Sequence, residues 1–560
     1  MLHSVHDETK WMVTNGSNLF DRRTCSPRPE LRDKQQQQQA EARPYKGFPQ
    51  LSLRQRSPMR NFILLCVAIT SFTLFMYGPN FSRVASKCWP ISSCIGTLRP
   101  SLSTFSRASM GVRLETPSGD QGRLSTKPNH MQSEEPTDLR HIVFGIASSA
   151  SNWESRQDYV RLWWQQREGG LPRRGYVWLE EPLLSATNDS TDLPQVRISA
   201  NADKFPYTWQ GGTPSAVRVS RIVSETFRLG LPDVRWFVLG DDDTIFFPEN
   251  LVQVLRKYDH RQFFYIGQST ESQKQSPVHS FSMAYGGGGI VISFPLAKAL
   301  EKMQDDCLMR YPHLYGSDSR IQACLAELGV PLTKEQGFHQ FDVHGDVFGL
   351  LAAHPVRPLV SFHHVDGIDP IFPEKTRLQA LEHLFDGVAL DPSAALQQSI
   401  CYDVRRNLTV SVSWGYVVQV FQGILSPMEV QKPSVTFTEW KTLQRDGDFF
   451  TFDVRPLPRD PCEGPAVYFM ESVNLDRQDE RKMVAVFKRM PDTEKTRNCR
   501  RFIWHEFIEV VKERQSESWF KAPRRQACEV AQQRFSFIEQ RSLNIHVRDF
   551  KEDEVIAPQS

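Results

Sequence analysis

Three adjacent carboxylates interrupt an apolar run in WFVLGDDDTIFFPENL, residues 236–251. Like charges this close repel one another, so a folded chain rarely gathers them without a counter-charge. Asp241 and Asp243, one residue apart, can approach a single divalent ion together. Hard carboxylate oxygens suit Mg²⁺ or Mn²⁺ and leave positions open for phosphate oxygens. Alone, such a DxD pair is a weak motif, shared with calcium loops and solvated turns. The TIFFPEN that follows lacks the glycine and spaced acids of an EF-hand.

Three further segments carry chemistry-bearing residues. YGGGGIVISFPLAKAL, residues 285–300, places Gly286, Gly287, Gly288 and Gly289 where backbone can approach a ligand that any side chain would exclude. It has neither the lysine of a P-loop nor the GxGxxG-plus-helix pattern of a dinucleotide fold. A flexible hairpin or bulge is the bland alternative. In YGSDSRIQACLAELGV, residues 315–330, Ser317 can cap a helix and puts Asp318 in its first turn. By position alone that acid reads as a helix-dipole partner. PLVSFHHVD, residues 358–366, ends a β-rich run with His363 and His364. Adjacent strand residues point to opposite faces, so one histidine can be a ligand and the other structural.

The elements around these residues alternate. HIVFGIA, GYVWLEE, QVRISA and VRWFVLGDDD read as strands, and ESRQDYVRLWWQQ and SAVRVSRIVSETFRL as helices. Such alternation predicts an open α/β sheet, mainly parallel, whose ligands bind beyond the carboxyl ends of strands. The acidic triplet lies at such an end. After residue 395 the period changes: LTVSVSW, VTFTEW, FFTFDV, AVYFM, MVAVF and LNIHV predict a mostly β C-terminal module over residues 396–560.

The first part of the 560-residue chain differs. Residues 1–60 contain a glutamine run and little that could form a core, so they read as a disordered tail. Residues 61–78, NFILLCVAITSFTLFMYG, hold no charge and read as a membrane-spanning signal anchor. Arg43, Lys46, Arg54, Arg56 and Arg60 precede it, against Arg83 and Lys87 after it. That asymmetry keeps the N-terminus cytosolic, a single-pass type II layout. Residues 79–138 read as a flexible stem and 139–395 as the catalytic domain.

Eight cysteines follow the anchor, where an oxidising lumen favours pairing; Cys307 with Cys324 is the best local pair. Asn188 and Asn407 head usable glycosylation sequons under this topology. A formal net charge of +2 gives no global field that would argue for nucleic acid as a partner, and no such partner is expected.

The order of these parts resembles the fringe-like β-1,3-glycosyltransferases, and within them the plant fringe-related branch. The likeness extends to RHIVFGIASSASNWESRQDYVRLWW and SVSWGYVVQVF and covers most of residues 139–555, with DDDT and GGGG its most specific portion. It implies an A-type glycosyltransferase fold, a UDP-sugar donor, Mn²⁺ or Mg²⁺, inversion, a glycan or glycoprotein acceptor, and a Golgi membrane address. It further implies Asp241, Asp243 and His364 as metal ligands, with His363 the alternative. Asp242 and the four glycines fall on the donor, and Asp318 falls at the general base. Fringe has two consecutive acids at that last position, where this chain has Ser317 before Asp318. Arg218 or Arg221 could assist the diphosphate. Homo-oligomerisation is left open. The competing expectation keeps the fold without the activity: a lumenal glycan-binding or scaffold protein.

Overall fold

The computed structural model describes residues 135–165, 171–183, 192–440, 449–500, 502–503, 505–531 and 542–557. The expected tail and anchor, nearly all of the stem, and Asn188 lie outside them. No described helix is long and apolar enough to cross a membrane.

The buried runs become strands β1 (Ile142–Ala147), β2 (Arg174–Leu179), β3 (Gln195–Ile198) and β4 (Trp236–Asp241), in parallel order β3-β2-β1-β4. Every residue of β1 and β4 is buried, as expected of central strands covered on both faces. Helix α1 (Ala150–Trp164) joins β1 to β2, and its first turn is capped by Ser149, whose side chain accepts from the Asn152 N–H. The helix expected over residues 215–229 is two, α2 (Ser215–Ser220) and α3 (Ile222–Arg228), interrupted at Arg221.

A short strand β5 (Ile245–Phe246) and helix α4 (Pro248–Leu255) lead to β6 (Tyr265–Gly267), β7 (Ile290–Ser293) and β8 (Leu332–Lys334). These complete a seven-stranded sheet in the order β3-β2-β1-β4-β7-β6-β8. The sheet is mainly parallel, as expected, with one exception: β7 runs antiparallel to both β4 and β6. The chain leaves β6 and re-enters β7 from the same end of the sheet, so no crossover reverses it. The consequence is functional. Leu239 pairs with Ile290, so the glycines just before β7 are delivered beside the aspartates that end β4.

Helices α5 (Phe294–Arg310) and α6 (Ser317–Glu327) pack beside this sheet and are joined by a Cys307–Cys324 disulfide, the expected pair. Ser317 is the first residue of α6 and Gly316 its cap position, without a side-chain cap bond. Asp318 nevertheless lies in the first turn. Strand β9 (Val343–Gly345) precedes β10 (Ser361–Phe362), which pairs antiparallel with β5. Helix α7 (Arg377–Leu390) opens with a Thr376–Gln379 capping box.

The remainder is β-rich: β11 (Gln398–Asp403), β12 (Leu408–Ser413), β13 (Val417–Gln422), β14 (Phe437–Glu439), β15 (Ala466–Leu475), β16 (Lys482–Arg489), β17 (Phe507–Glu513), β18 (Ala527–Val530) and β19 (Ser542–Arg548). Eight of these form one sheet, β11-β12-β13-β15-β16-β17-β19-β18. A Cys401–Cys528 disulfide ties its two outermost strands together, giving a barrel-like closure, and Cys462 pairs with Cys499. Three disulfides fit folding in an oxidising compartment, the secretory pathway. Two expectations change. FFTFDV forms no strand, and β14 pairs with β9 of the α/β part rather than joining the eight-stranded sheet. One apolar core, from Ile142 to Val547, runs through both sheets. Asn407 is exposed, in the turn between β11 and β12.

Candidate functional site

Asp241, Asp242 and Asp243 are all buried at the carboxyl end of β4, exposed by only 3, 1 and 4 %. Thr244 holds the turn that follows. Its Oγ1 accepts from the Asp241 N–H at 2.8 Å and donates to the Gly287 carbonyl at 2.8 Å. The Trp163 indole on α1 donates to the Thr244 carbonyl at 3.1 Å. The parallel register sets what surrounds the acids. Ala147 of β1 lies opposite Asp241, so the next residues on each strand meet, and Ser148 Oγ donates to Asp242 Oδ2 at 2.6 Å.

The β5–β10 pair delivers the histidines, since β10 ends one residue before them. His363 Nε2 lies 3.4 Å from Asp241 Oδ2 and 3.1 Å from Asp243 Oδ1. Its Nδ1 faces the Gln340 carbonyl at 3.3 Å. His364, the first choice from sequence, does not meet these carboxylates. It adopts a left-handed backbone with φ of 52°, and its Nδ1 lies 3.4 Å from Asp342 Oδ1. Its ring stacks on Trp440, centroids 4.3 Å apart and planes 6° off parallel. Trp440 in turn stacks on His344 at 3.9 Å. His363, the alternative, is therefore the histidine that stands with Asp241 and Asp243.

Asp241, Asp243 and His363 can each offer one ligand atom, and these atoms lie within 4.8 Å of one another. Two carboxylate oxygens and an imidazole nitrogen fit a divalent ion such as Mn²⁺ or Mg²⁺. The Gln340 carbonyl completes the fit: by accepting from Nδ1–H it leaves Nε2 to face the carboxylates, the usual arrangement behind a ligating histidine.

Charge balance follows the same geometry. Burial pulls the His363 pKa down, but Asp243 and Asp241 outweigh it and raise the imidazole to about 10. Burial pushes Asp243 up, yet His363 and Arg156 hold it well below the carboxylate range. Asp242, buried beside the charged Asp243, is pushed up to about 6 against the pull of Arg156 and Ser148.

Arg156 was not singled out from the sequence. Extending from α1, its Nη1 lies 2.8 Å from Asp242 Oδ1 and 3.7 Å from Asp243 Oδ2, and its Nη2 is 2.9 Å from Asp366 Oδ2. Tyr159, one turn along α1, donates to Asp366 Oδ1 at 2.9 Å. The (i, i+3) spacing of Arg156 and Tyr159 was a legible signal of one shared face. The arginines that the sequence suggested lie elsewhere. Arg221 pairs with Asp305 and Glu225, while Arg218 donates to the Ser148 and Trp178 carbonyls behind the site.

The glycine loop links the acids to Asp318. Any Cβ at Gly287 would overlap the His363 ring. Gly289 has φ of 107°, a conformation that favours glycine. The Gly288 N–H donates to Gln340 Oε1 at 2.7 Å, and the Gly286 N–H to Asp318 Oδ2 at 3.3 Å. Asp318 is partly exposed, and its Oδ1 accepts from the Ser319 N–H at 2.8 Å. One unbroken series of contacts therefore runs from Asp241 through His363 and the glycines to Asp318.

Residues 275–528 match a family described as "Protein of unknown function, DUF604". Among solved structures, two of LgtC are similar: an active-site mutant, and the galactosyltransferase with donor and acceptor sugar analogs. Each is 14 % identical with a TM-score of 0.29, covering 43 % of this chain and 94 % of LgtC. Mouse xyloside xylosyltransferase 1 in its apo form is 9 % identical with a TM-score of 0.24, covering 35 % of this chain and 84 % of that one.

Proposed function

We propose that this chain is a metal-dependent glycosyltransferase that moves a sugar from a UDP-sugar to a hydroxyl of a glycan or glycoprotein, with inversion and in β-1,3 linkage. The observation that carries the reading is the contact series just described, which joins a DxD–histidine cluster to a lone first-turn carboxylate through four glycines.

Asp241, Asp243 and His363 would hold Mn²⁺ or Mg²⁺, which when bound supplies the positive charge that offsets the donor diphosphate. Arg156 adds a fixed cation at the same end of the sheet. Asp242, with both oxygens engaged by Ser148 and Arg156, keeps that cation on the donor side. The bare backbone of Gly286, Gly287, Gly288 and Gly289 lets donor and acceptor approach without side-chain clashes. Asp318 accepts the proton of the attacking acceptor hydroxyl, and the N–H groups of Gly286 and Ser319 fix its orientation. One base and one displacement give inversion. With the sequence topology, this makes the chain a single-pass type II Golgi enzyme whose lumenal part carries glycans at Asn188 and Asn407.

The test is UDP release from a panel of UDP-sugars, with Mn²⁺ and with EDTA, by wild type, Asp243→Ala and Asp318→Asn. Wild type should release UDP from one donor only with metal. Asp243→Ala should lose both release and Mn²⁺-dependent UDP binding. Asp318→Asn should keep UDP binding and lose about 10²–10⁴-fold in rate. A folded chain that neither binds UDP with Mn²⁺ nor releases it would refute the reading.

A further inference from the structure

A cavity of about 910 Å³ lies apart from the acids, walled by both halves of the chain. The α/β part contributes residues 268–271, 336, 338, 339 and 341 among others, and the β-rich part contributes 428, 431–433, 450–453 and Arg525. Its size falls in the usual range for a small-molecule site. The walls are tied together by backbone bonds, Thr451 N–H to the Glu271 carbonyl at 3.0 Å and Gln273 N–H to the Phe449 carbonyl at 2.9 Å.

The segment between cavity and acids is a shared partition. His339 and Phe341 face the cavity, while the alternate residues face the other way: Gln340 accepts from Gly288, and Asp342 meets His364. Thr270, on the cavity wall, also donates to Asp342 at 2.5 Å. Whatever fills the cavity thus lies one chain thickness behind the glycine loop.

The lining specifies chemistry. Glu271 is 7 % exposed and its Oε1 meets His339 Nδ1 at 3.3 Å, while His339 Nε2 lies 2.9 Å from His354 Nε2. Its Oε2 is buried without a hydrogen-bond partner. On the opposite wall the buried Nε of Arg525 has none either. Both residues line the same cavity, and a buried acceptor and a buried donor without partners each cost free energy until a partner reaches them. A hydroxyl group both donates and accepts. Phe281, Phe450 and Phe452 add apolar faces, and Gln268, Gln336 and Gln431 add amides. An apolar ligand would leave Glu271 unmet, and the lining mixes signs, Lys334, Lys432 and Arg525 with Glu271 and Asp453, so it does not single out an anion. An uncharged polyol with apolar C–H faces matches this mixture of mixed-sign polar groups, amides and aromatic faces.

We propose that this cavity is a second carbohydrate site, which holds a part of the acceptor glycan remote from the hydroxyl that reacts. The word acceptor rests on the transferase reading; the sugar site itself does not.

The test uses the full chain in a detergent without a sugar headgroup, probed on an array of neutral xylo-, galacto- and gluco-oligosaccharides. Mn²⁺-dependent UDP binding is measured in parallel. Two variants are compared with wild type: Glu271→Gln, and Phe281→Ala, whose side chain is already 56 % exposed and leaves the core intact. Oligosaccharide binding should fall about tenfold or more in each, with UDP binding unchanged. Variants that bind sugar like wild type overturn the proposal, as does a wild type that binds UDP but no oligosaccharide. Sugar binding that depends on Glu271 and Phe281 in a chain that binds no UDP would uphold the cavity and sink the transferase reading.

Discussion

Metal uptake by Asp241, Asp243 and His363 should expel a proton. Without metal, His363 Nε2 lies 3.4 and 3.1 Å from two buried carboxylates, which keep the imidazole protonated with a pKa raised to about 10. A ligand needs the lone pair that this proton occupies. With a pKa near 10, about one free molecule in a thousand has it available at pH 7, so apparent affinity is weakened by roughly 10³, or about 4 kcal/mol. The sign is fixed: each unit of rising pH should strengthen Mn²⁺ binding about tenfold across the neutral range, releasing close to one proton per ion. Calorimetric titration in two buffers of different ionisation enthalpy counts those protons. The range should stay above about pH 6.5, because Asp242, pushed up to about 6, would add a proton of its own below that. His363→Gln should abolish both the slope and the released proton. Stability gives the converse. A folded-state pKa above the unfolded value stabilises the metal-free fold fully below about pH 6.5, and that contribution disappears as pH rises through about 10. Binding by wild type that is independent of pH, with no proton released, would refute the reasoning.

Other outcomes are expected at the glycine loop, at Trp440 and at Lys512. Gly287→Ala should weaken Mn²⁺ binding by about tenfold or more with the fold retained by circular dichroism, because its Cβ overlaps the His363 ring. Gly288→Ala, whose Cβ would sit 3.1 Å from the Gln340 backbone, should be milder. Trp440→Ala should lower thermal stability by about 1–2 kcal/mol and weaken Mn²⁺ binding severalfold, since the indole supports the His364 ring beside the ligand. Lys512→Met should destabilise by about 3–5 kcal/mol in chemical denaturation, leaving buried Asp391 without the ammonium now 2.9 Å away. Adding Asp391→Asn should recover most of that loss.

Local signals in the sequence reached as far as local physics does. HIVFGIA and WFVLGD are apolar enough to specify buried strands by themselves, and both form over the expected residues. The direction of β7 was not legible, because IVIS is equally apolar read either way and only the chain's return from β6 fixes its sense. FFTFDV alternates like a strand but forms none; Phe450 and Phe452 pack with Phe437 instead. The choice of histidine failed for a similar reason. Alternation assigns the two rings to opposite faces but not which face holds the acids. The left-handed turn at His364 then sends its ring to Trp440, a partner far along the chain.

Arg156 shows the remaining gap. The spacing of Arg156 and Tyr159 marks a shared face, but not which of the two arginines of α1 meets Asp242; Arg161 pairs with Asp158 and Asp192 instead. What brings the site together is register. Ala147 opposite Asp241 puts Ser148 on Asp242, Leu239 opposite Ile290 sets the glycines beside the acids, and Phe246 opposite Ser361 carries His363 to them. A slip of one residue in any of the three pairings would turn a needed group to the wrong face. The sequence holds that information in the apolar patterns that fix register, not in the polar residues themselves. DDDT, GGGG and HH are each weak alone and gain meaning from their order along the chain.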